Sequence, residues 1–406
     1  MIESLAQDTP SKIVLLVIDG LGGVPKCAAS HTSRRACGDG KTELEAANTP
    51  NLDMLAKKSV TGLTDPVSPG ITPGSGPTHL ALFGYDPLKF EIGRGVLEAL
   101  GVGINLTPKD VAARGNFATK DATGVITDRR AGRISTEENK RICMKMQDKI
   151  KQIDGVEIYI TAGKEHRFVL VLRGDNLSDK ITDTDPQKTG LKPIPCKAIQ
   201  PEAEKTAQIV QKFTERAESL LKLPANTILL RGFAKHPRLP SMQKRFKLKP
   251  CAIATYPMYK GLARLVGMEI LDTGTTPADE IETLRRYWDN YNFFYIHIKR
   301  TDSMGEDGNF EGKVALIEEV DKIIPDILAL KPDVFVVTSD HSTPAVLKSH
   351  SWHPNPFLLF SKYIVPDDVE IFTERAFMKG GLGRFPAIHA IPLMLANALK
   401  LKKFGA

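Results

Sequence analysis

The hydrophobic positions of this chain fall into two textures. Near the start, Lys12 to Ile18 is a continuous apolar run ending in Asp19-Gly20, the pattern of a strand buried on both faces of a parallel sheet. The same strand-to-loop pattern recurs far along the chain. Phe293 to Ile298 leads into Thr301-Asp302, and Val334 to Val337 leads into Asp340-His341. A third run, Phe357 to Phe360, follows a His-rich segment. Asn51 to Lys58 has helical spacing, with Asn48 or Thr49 as its cap and Pro50 in the first turn. The middle is different. Val111 to Lys249 holds shorter strand-like runs (Val156 to Ile160, Phe168 to Leu172, Thr227 to Leu230) and amphipathic helical patterns around Thr136 to Lys151 and Ala203 to Leu221. Asp183 to Pro195 is a proline-punctuated loop, as is the polar stretch Pro25 to Lys41. Cys251 to Thr255 and Tyr259 to Val266 return to strand and helix.

These textures predict an α/β fold with a central, mostly parallel sheet made by both chain ends, residues 1–110 and 250–406. An α+β cap is inserted over residues 111–249. A length of 406 residues exceeds what one core usually serves, which agrees with two domains. In open α/β sheets, ligands sit outside the carboxyl ends of the strands. The acidic and histidine residues that follow the apolar runs are therefore expected to converge on one site.

Composition narrows the class. No stretch approaches the roughly 20 apolar residues of a membrane span. The first apolar run is too short for the core of a signal peptide and is preceded by Glu3 and Asp8. Five scattered cysteines, Cys27, Cys37, Cys143, Cys196 and Cys251, lack metal-ligand spacing and suit a reducing compartment. The expectation is a cytoplasmic protein with no membrane partner. Net charge is +7, but the basic residues are dispersed beside acidic ones, with one dense cluster at Met242 to Lys249. This favours a small anionic substrate over nucleic acid.

Phosphoryl transfer is chiefly positioning and charge neutralisation, and two divalent cations about 4 Å apart can clamp the entering and leaving oxygens. The chain offers carboxylates and imidazoles for such a site: Asp19, Asp340-His341, Asp302 with Glu306 four residues on, and His350 and His353 within His-Ser-Trp-His-Pro-Asn-Pro. Ser75, in Thr72-Pro73-Gly74-Ser75-Gly76-Pro77-Thr78-His79 just before a helical run, is the candidate nucleophile, since a helix N-terminus attracts anions. Each has a plainer reading by itself. Asp19 reads as a turn residue, Ser75 as an N-cap, Asp302 and Glu306 as a solvated acidic loop, and each His as a structural one. For substrate anions, Arg suits bidentate recognition. Arg114, Arg129, Arg130 and Arg133 occur in one segment beside Asp128, His166-Arg167 and Arg173 flank an apolar run, and Lys260 and Arg264 share a helical face. Surface charge is the plainer reading for any one of them.

The ordered series resembles the archaeal-type cofactor-independent phosphoglycerate mutases of the alkaline-phosphatase superfamily. It comprises Asp19-Gly20, the Pro-Gly-Ser loop, Thr301-Asp302, Ser339-Asp340-His341 and His350-Ser351 with Pro354 and Pro356. Leu80 to Pro87, Glu98-Ala99-Leu100-Gly101, Arg114 to Thr119 and Asp128 to Arg133 extend it, so the likeness runs from about Lys12 to the C-terminus. The resemblance implies an alkaline-phosphatase-like fold and interconversion of 3-phosphoglycerate and 2-phosphoglycerate through phosphorylated Ser75. It implies two divalent ions (Mn²⁺, Zn²⁺ or Co²⁺) and no bisphosphoglycerate. By position, Asp19, Ser75, Asp340 and His341 surround one ion, and Asp302, Glu306 and His350 the other, while His353 is not a ligand. Asp128, Arg114, Arg129, Arg130, Arg133, His166, Arg167 and Lys260 fall where the family contacts substrate, with Asp128 either orienting guanidinium groups or acting as a general acid/base. The chain departs from the family at Glu306, where His is usual. It also departs after Ser75, where Gly-Ser-Asp-Thr-Ala-His is commoner, and in an insertion from Lys26 to Gly40. The alternative is a phosphatase or phosphotransferase of the same superfamily acting on another small phosphorylated substrate.

Overall fold

The computed structural model describes residues 2–26, 40–90, 92–237 and 239–405. Most of the insertion, with Cys27 and Cys37, lies outside the described residues. The chain forms two units, Met1–Glu91 with Leu239–Ala406, and Ile92–Arg238.

The first unit is organised around β1 (Ile13–Ile18), whose six apolar residues are all buried. Burying each such side chain is worth about 1.5–3 kcal/mol relative to exposure. β1 pairs in parallel with β11 (Phe293–Ile298) on one side and β12 (Val334–Thr338) on the other. The sheet continues beyond β11 through β9 (Pro250–Ala254) to β10 (Glu269–Leu271). Beyond β12 it continues through β13 (Asn355–Ser361) and β2 (Val60–Asp65) to β14 (Gly383–Pro386). β13 runs antiparallel to both of its neighbours, so the sheet is mostly parallel with one reversed strand. This is the α/β fold expected. The register decides where the site lies. Ile18 sits opposite Ile298 and Val17 opposite Thr338, so Asp19, Lys299 and Ser339-Asp340 leave the sheet at one edge.

The second unit has its own core and a six-stranded antiparallel sheet. β3 (Asp110–Lys120) lies at its centre, paired with β7 (Arg167–Arg173), β8 (Thr227–Lys235) and the short β4 (Ile126–Asp128). β6 (Val156–Ala162) and β5 (Gln152–Ile153) extend it from β7. The helices Thr136–Lys149 and Glu204–Leu220 supply the apolar stripes read from the sequence, and Met146, Ile209, Val210 and Phe213 enter the core. β3 is the longest strand and escaped the pattern reading, because Arg114, Gly115 and Asn116 interrupt its apolar run. Gly115 is there for space: a Cβ would lie 2.2 Å from the Phe168 ring. The unit begins at Ile92 rather than near Val111 because the helix Arg94–Gly101 packs flush on β3. A Cβ at Gly95 would lie 2.3 Å from the Ala112 carbonyl. Among the described residues, no helix is long and apolar enough to cross a membrane.

Candidate active site

Three strand ends bring the acidic and imidazole side chains together in the first unit. Asp19 follows β1 and is fully buried. Gly20 must be glycine: its φ is +64°, and a Cβ would lie 2.7 Å from the Thr343 hydroxyl and 2.9 Å from the Asp302 backbone. Asp340 and His341 follow β12 and are equally buried. Asp302 and Glu306 share the short helix Arg300–Asp307 after β11, rather than a loop.

Ser75 opens the helix Ser75–Leu82 as its first residue, with Gly74 in the cap position, so it is not the N-cap. Pro77 fits the first turn because its missing N–H would have no intrahelical partner there. The Thr78 hydroxyl and His79 Nδ1 both lie 2.9 Å from the Ser75 carbonyl oxygen and fix the turn.

His341 is the hub. Its Nε2 lies 3.2 Å from Ser75 Oγ, 3.3 Å from Asp19 Oδ1 and 3.1 Å from Asp340 Oδ2. Its Nδ1 lies 3.0 Å from the Thr343 hydroxyl, which donates to Asp302 Oδ1 at 2.6 Å. With that proton committed to Asp302, the hydroxyl oxygen is left to accept from Nδ1–H, and Nε2 presents a lone pair toward Ser75 and the two carboxylates. His350 stacks on His341 with ring centroids 3.6 Å apart, and its Nε2 is 3.7 Å from Asp302 Oδ1. Two groups of donor atoms result, Asp19–Asp340–His341 and Asp302–His341–His350, each with its ligand atoms within 4.8 Å of one another.

These residues fit divalent cations. Oδ1 of Asp19 and Oδ2 of Asp340 are buried without a hydrogen-bond partner, while Asp19 Oδ2 faces the Lys299 ammonium at 3.2 Å. Bare buried carboxylate oxygens are strongly unfavourable unless a cation completes them. Burial alone would raise the Asp19 pKa, but His297, Lys299 and His341 outweigh it and hold the carboxyl well below its usual range. Asp340 goes the other way: burial and then the neighbouring Asp19 and Asp302 push it well above. Two carboxylates this close cannot both ionise freely without added positive charge.

Glu306 stands at the margin. Its Oε1 is 4.0 Å from His350 Nε2, its side chain is 55% exposed, and it belongs to neither donor group. His353 also lies outside both and pairs with the Ser351 hydroxyl at 3.0 Å.

Several residues at this site were not singled out from the sequence. Lys299 lies 3.2 Å from Asp19 Oδ2 and also pairs with Asp302. His297 Nε2 is 3.4 Å from Asp19 Oδ2, and His79 Nδ1 is 3.4 Å from Asp340 Oδ2. Burial and then the proximity of His297 lower the His79 pKa to about 3, so the ring is neutral. Tyr259 stacks on His297 at 3.7 Å with its hydroxyl buried. His297 sits in a run otherwise read for its apolar residues and His79 ends the motif read for Ser75, and the imidazole at each place was the available signal.

The second unit holds a separate constellation. Arg114, Asn116, Arg129, Arg130, His166, Arg167 and Arg231 line a cavity of about 220 Å³. Nε of Arg114, Arg167 and Arg231, Nδ1 of His166 and Oδ1 of Asn116 are buried without partners. Arg129 is held by a bidentate pair to Asp185, at 3.0 and 2.6 Å. Burial, joined by Arg94, Arg167 and Arg231 and opposed by Glu98, lowers the Arg114 pKa to about 10. Crowded cations with unused donors suit an anion. Arg231 was not singled out, since it lies in a strand outside every motif, and Asn116 entered only as part of the Arg114 to Thr119 likeness. Arg133 is exposed and does not line the cavity. Asp128 accepts the backbone N–H of Arg130 at 2.8 Å and of Gly132 at 2.6 Å. It thereby closes a turn in which Ala131, Gly132 and Arg133 all have positive φ. Lys260 belongs to the first unit, on the helix Pro257–Leu265.

The model of the 2,3-bisphosphoglycerate-independent phosphoglycerate mutase family matches residues 56–226. A protein of Aquifex aeolicus described as a probable 2,3-bisphosphoglycerate-independent phosphoglycerate mutase is 54% identical over 416 residues, covering all of both chains. The chain belongs to this family of mutases. A Thermus thermophilus mutase with the same description is 52% identical over 411 residues, all of this chain and 99% of that one. As a phosphoglycerate mutase relative at this identity, the chain is an isomerase. Among solved mutase structures, the cofactor-independent enzyme of Thermoplasma acidophilum superposes with a TM-score of 0.76 at 30% identity, over 96% of this chain and all of that one. The PH0037 protein of Pyrococcus horikoshii gives 0.81 at 30% identity, over 98% and 100%.

Proposed function

We propose that this mutase interconverts 3-phosphoglycerate and 2-phosphoglycerate without bisphosphoglycerate, by way of a phosphoserine at Ser75. The observation that carries this reading is the Ser75 hydroxyl, 3.2 Å from His341 Nε2 at the start of a helix and beside Asp19 Oδ1 and Asp340 Oδ2, buried carboxylate oxygens without hydrogen-bond partners. Asp19, Asp340 and His341 would hold one divalent ion with Ser75, and Asp302, His350 and Glu306 a second. Bound Mn²⁺, Co²⁺ or Zn²⁺ would supply charge neutralisation for the transferring phosphoryl group and an acidified serine hydroxyl.

The chain's own residues do the remainder. Ser75 Oγ attacks the phosphorus of 3-phosphoglycerate, the bond to the 3-oxygen breaks, and the serine proton ends on that oxygen, leaving glycerate with a free 3-hydroxyl. Lys299, kept cationic by Asp19 and Asp302 although burial opposes it, adds positive charge to the developing trigonal phosphoryl group. Glycerate then takes the phosphoryl group back on its 2-hydroxyl, which regenerates Ser75. The arginines of the second unit suit the carboxylate and phosphate of the substrate, so that unit is assigned substrate binding and the first unit phosphoryl transfer. Asp128 is assigned to orienting Arg129 and Arg130 through the turn it closes, since both of its oxygens are engaged there. Exclusion of water is essential, because water reaching phosphoserine yields hydrolysis.

A coupled enolase assay with 3-phosphoglycerate tests the activity. Turnover is expected without added bisphosphoglycerate, lost on chelation and restored by Mn²⁺. Full turnover in rigorously metal-free protein contradicts the metal assignment, and phosphate release without 2-phosphoglycerate favours a phosphatase.

A further inference from the structure

Lys313 is a cationic side chain with no solvent exposure. It lies on the helix Phe310–Asp321 and belongs to neither donor group. A buried ammonium is retained only where its donors are used, and here they are used in a particular way. Nζ donates to the Gly22 carbonyl at 3.2 Å and the Thr343 carbonyl at 2.9 Å, and faces Glu43 Oε1 at 3.8 Å.

Those two carbonyls belong to the two loops that carry the candidate ligands. Gly22 is in the loop that Asp19 begins, and Thr343 is in the loop that Asp340 and His341 begin. The loops are already flush, since a Cβ on Gly22 would lie 1.9 Å from Ser342 Oγ, and the helix that carries Asp302 packs as closely on the second loop, where a Cβ on Gly305 would lie 2.2 Å from the Thr343 carbonyl oxygen. The Thr343 N–H is shared between the carbonyls of Gly20 and Gly22, at 3.2 and 3.1 Å. The Thr343 hydroxyl donates to Asp302 Oδ1 at 2.6 Å and meets His341 Nδ1 at 3.0 Å. Glu43 closes the arrangement by accepting the Ala345 N–H at 2.6 Å, and Glu374 accepts the Gly23 N–H at 2.9 Å.

We propose that Lys313 is a positioning residue for both candidate cation sites, clamping the Asp19 loop to the Asp340–Thr343 loop and, through Thr343, setting Asp302 against His341. The inference rests on reading those groups as cation ligands. An apolar side chain in its place leaves two loop carbonyls and the Glu43 carboxylate buried without the ammonium, so the loops part and the donor groups lose their spacing. Outer residues that orient ligands commonly change metal affinity or activity by about 10- to 100-fold when removed.

The test is Mn²⁺ binding by equilibrium dialysis with metal analysis, alongside steady-state kinetics, in full-length Lys313→Met and Thr343→Val. Lys313→Met is expected to bind Mn²⁺ about tenfold or more weakly at one or both sites, with kcat reduced and KM for 3-phosphoglycerate little changed. Thr343→Val keeps the buried charge pair but removes the hydroxyl link to Asp302, and it is expected to weaken Mn²⁺ binding in the same sense. That variant carries the test if Lys313→Met does not fold. Wild-type Mn²⁺ affinity and kcat in Lys313→Met, or unchanged Mn²⁺ binding in Thr343→Val, overturns the positioning role while leaving the ligand assignment standing. Absence of Mn²⁺ binding by the wild-type protein overturns the ligand assignment itself, and with it this inference.

Discussion

The Ser75 hydroxyl lies 3.2 Å from Nε2 of His341, the one imidazole common to both donor groups. The nucleophile and the candidate ligands thus share a single buried atom as their reference point. Ser75→Ala removes the attacking oxygen and little else, since the turn is held through the Ser75 backbone carbonyl by Thr78 and His79. The variant is expected to fold with wild-type thermal stability and to lose mutase turnover by at least about 10⁴-fold, which is roughly 5.5 kcal/mol in activation free energy. Enolase-coupled kinetics checks this, and turnover near the wild-type rate moves the nucleophile elsewhere.

Glu306 discriminates between a ligand and a bystander. It stands 4.0 Å from His350 at the rim of the Asp302–His350 group. Burial and then the neighbouring Asp302 raise its pKa, which a cation between the two carboxylates would reverse. Glu306→Ala is therefore expected to lose one Mn²⁺ equivalent and most activity. Glu306→His is expected to keep binding while shifting preference toward Zn²⁺ or Co²⁺, because imidazole is a softer ligand than carboxylate. Metal analysis after gel filtration decides it. Two retained equivalents with wild-type turnover in Glu306→Ala make the carboxylate a solvent-facing group.

How legible was this in the sequence? Asp19, Asp302, Asp340 and His341 could be read because each follows an apolar run whose parallel pairing delivers it to the same sheet edge. Ser75 could be read from the Gly and Pro around it. His79 and His297 are different: His79 closes the Ser75 motif and His297 lies within an apolar run, and only the fold shows that they face Asp340 and Asp19. Lys313 sits in an amphipathic helix where a lysine ordinarily reads as solvated, and its burial depends on loops distant in sequence. Arg133 looked equivalent to Arg129 and Arg130, but it ends the positive-φ turn at residues 131–133 and does not join them in lining the cavity.

That last distinction is measurable. Arg130→Ala and Arg231→Ala remove cations lining the cavity, and each is expected to lose about 1.5–3 kcal/mol of substrate binding, as for charged hydrogen bonds. Arg133→Ala is expected to leave KM unchanged. Arg129→Ala adds a stability loss of about 3 kcal/mol, because it leaves the buried Asp185 carboxylate unpaired. KM values for 3-phosphoglycerate and urea unfolding of the four variants check the set. Equal effects from Arg130 and Arg133 would return the segment to general surface charge.

A pH dependence follows from His166. Burial, and then the adjacent Arg167, lower its pKa from 6.5 to about 4. Between those values the unfolded chain takes up a proton that the folded protein rejects, so stability falls as pH drops from about 6.5 to about 4. The contribution is fully present above 6.5. Urea unfolding at pH 7, 5.5 and 4.5 should show a shallower decline in His166→Asn than in wild type, where His79 still contributes in the same direction. Parallel profiles would mean that His166 titrates alike in both states.

The central claim is the covalent step at Ser75. Protein incubated with Mn²⁺ and 3-phosphoglycerate carrying ³²P, then quenched in acid within the first turnovers, should carry label on the peptide containing Ser75. The Ser75→Ala variant should carry none, and unlabelled substrate should chase the label into 2- and 3-phosphoglycerate. Mutase turnover with no label on Ser75 at any time after mixing would contradict the account.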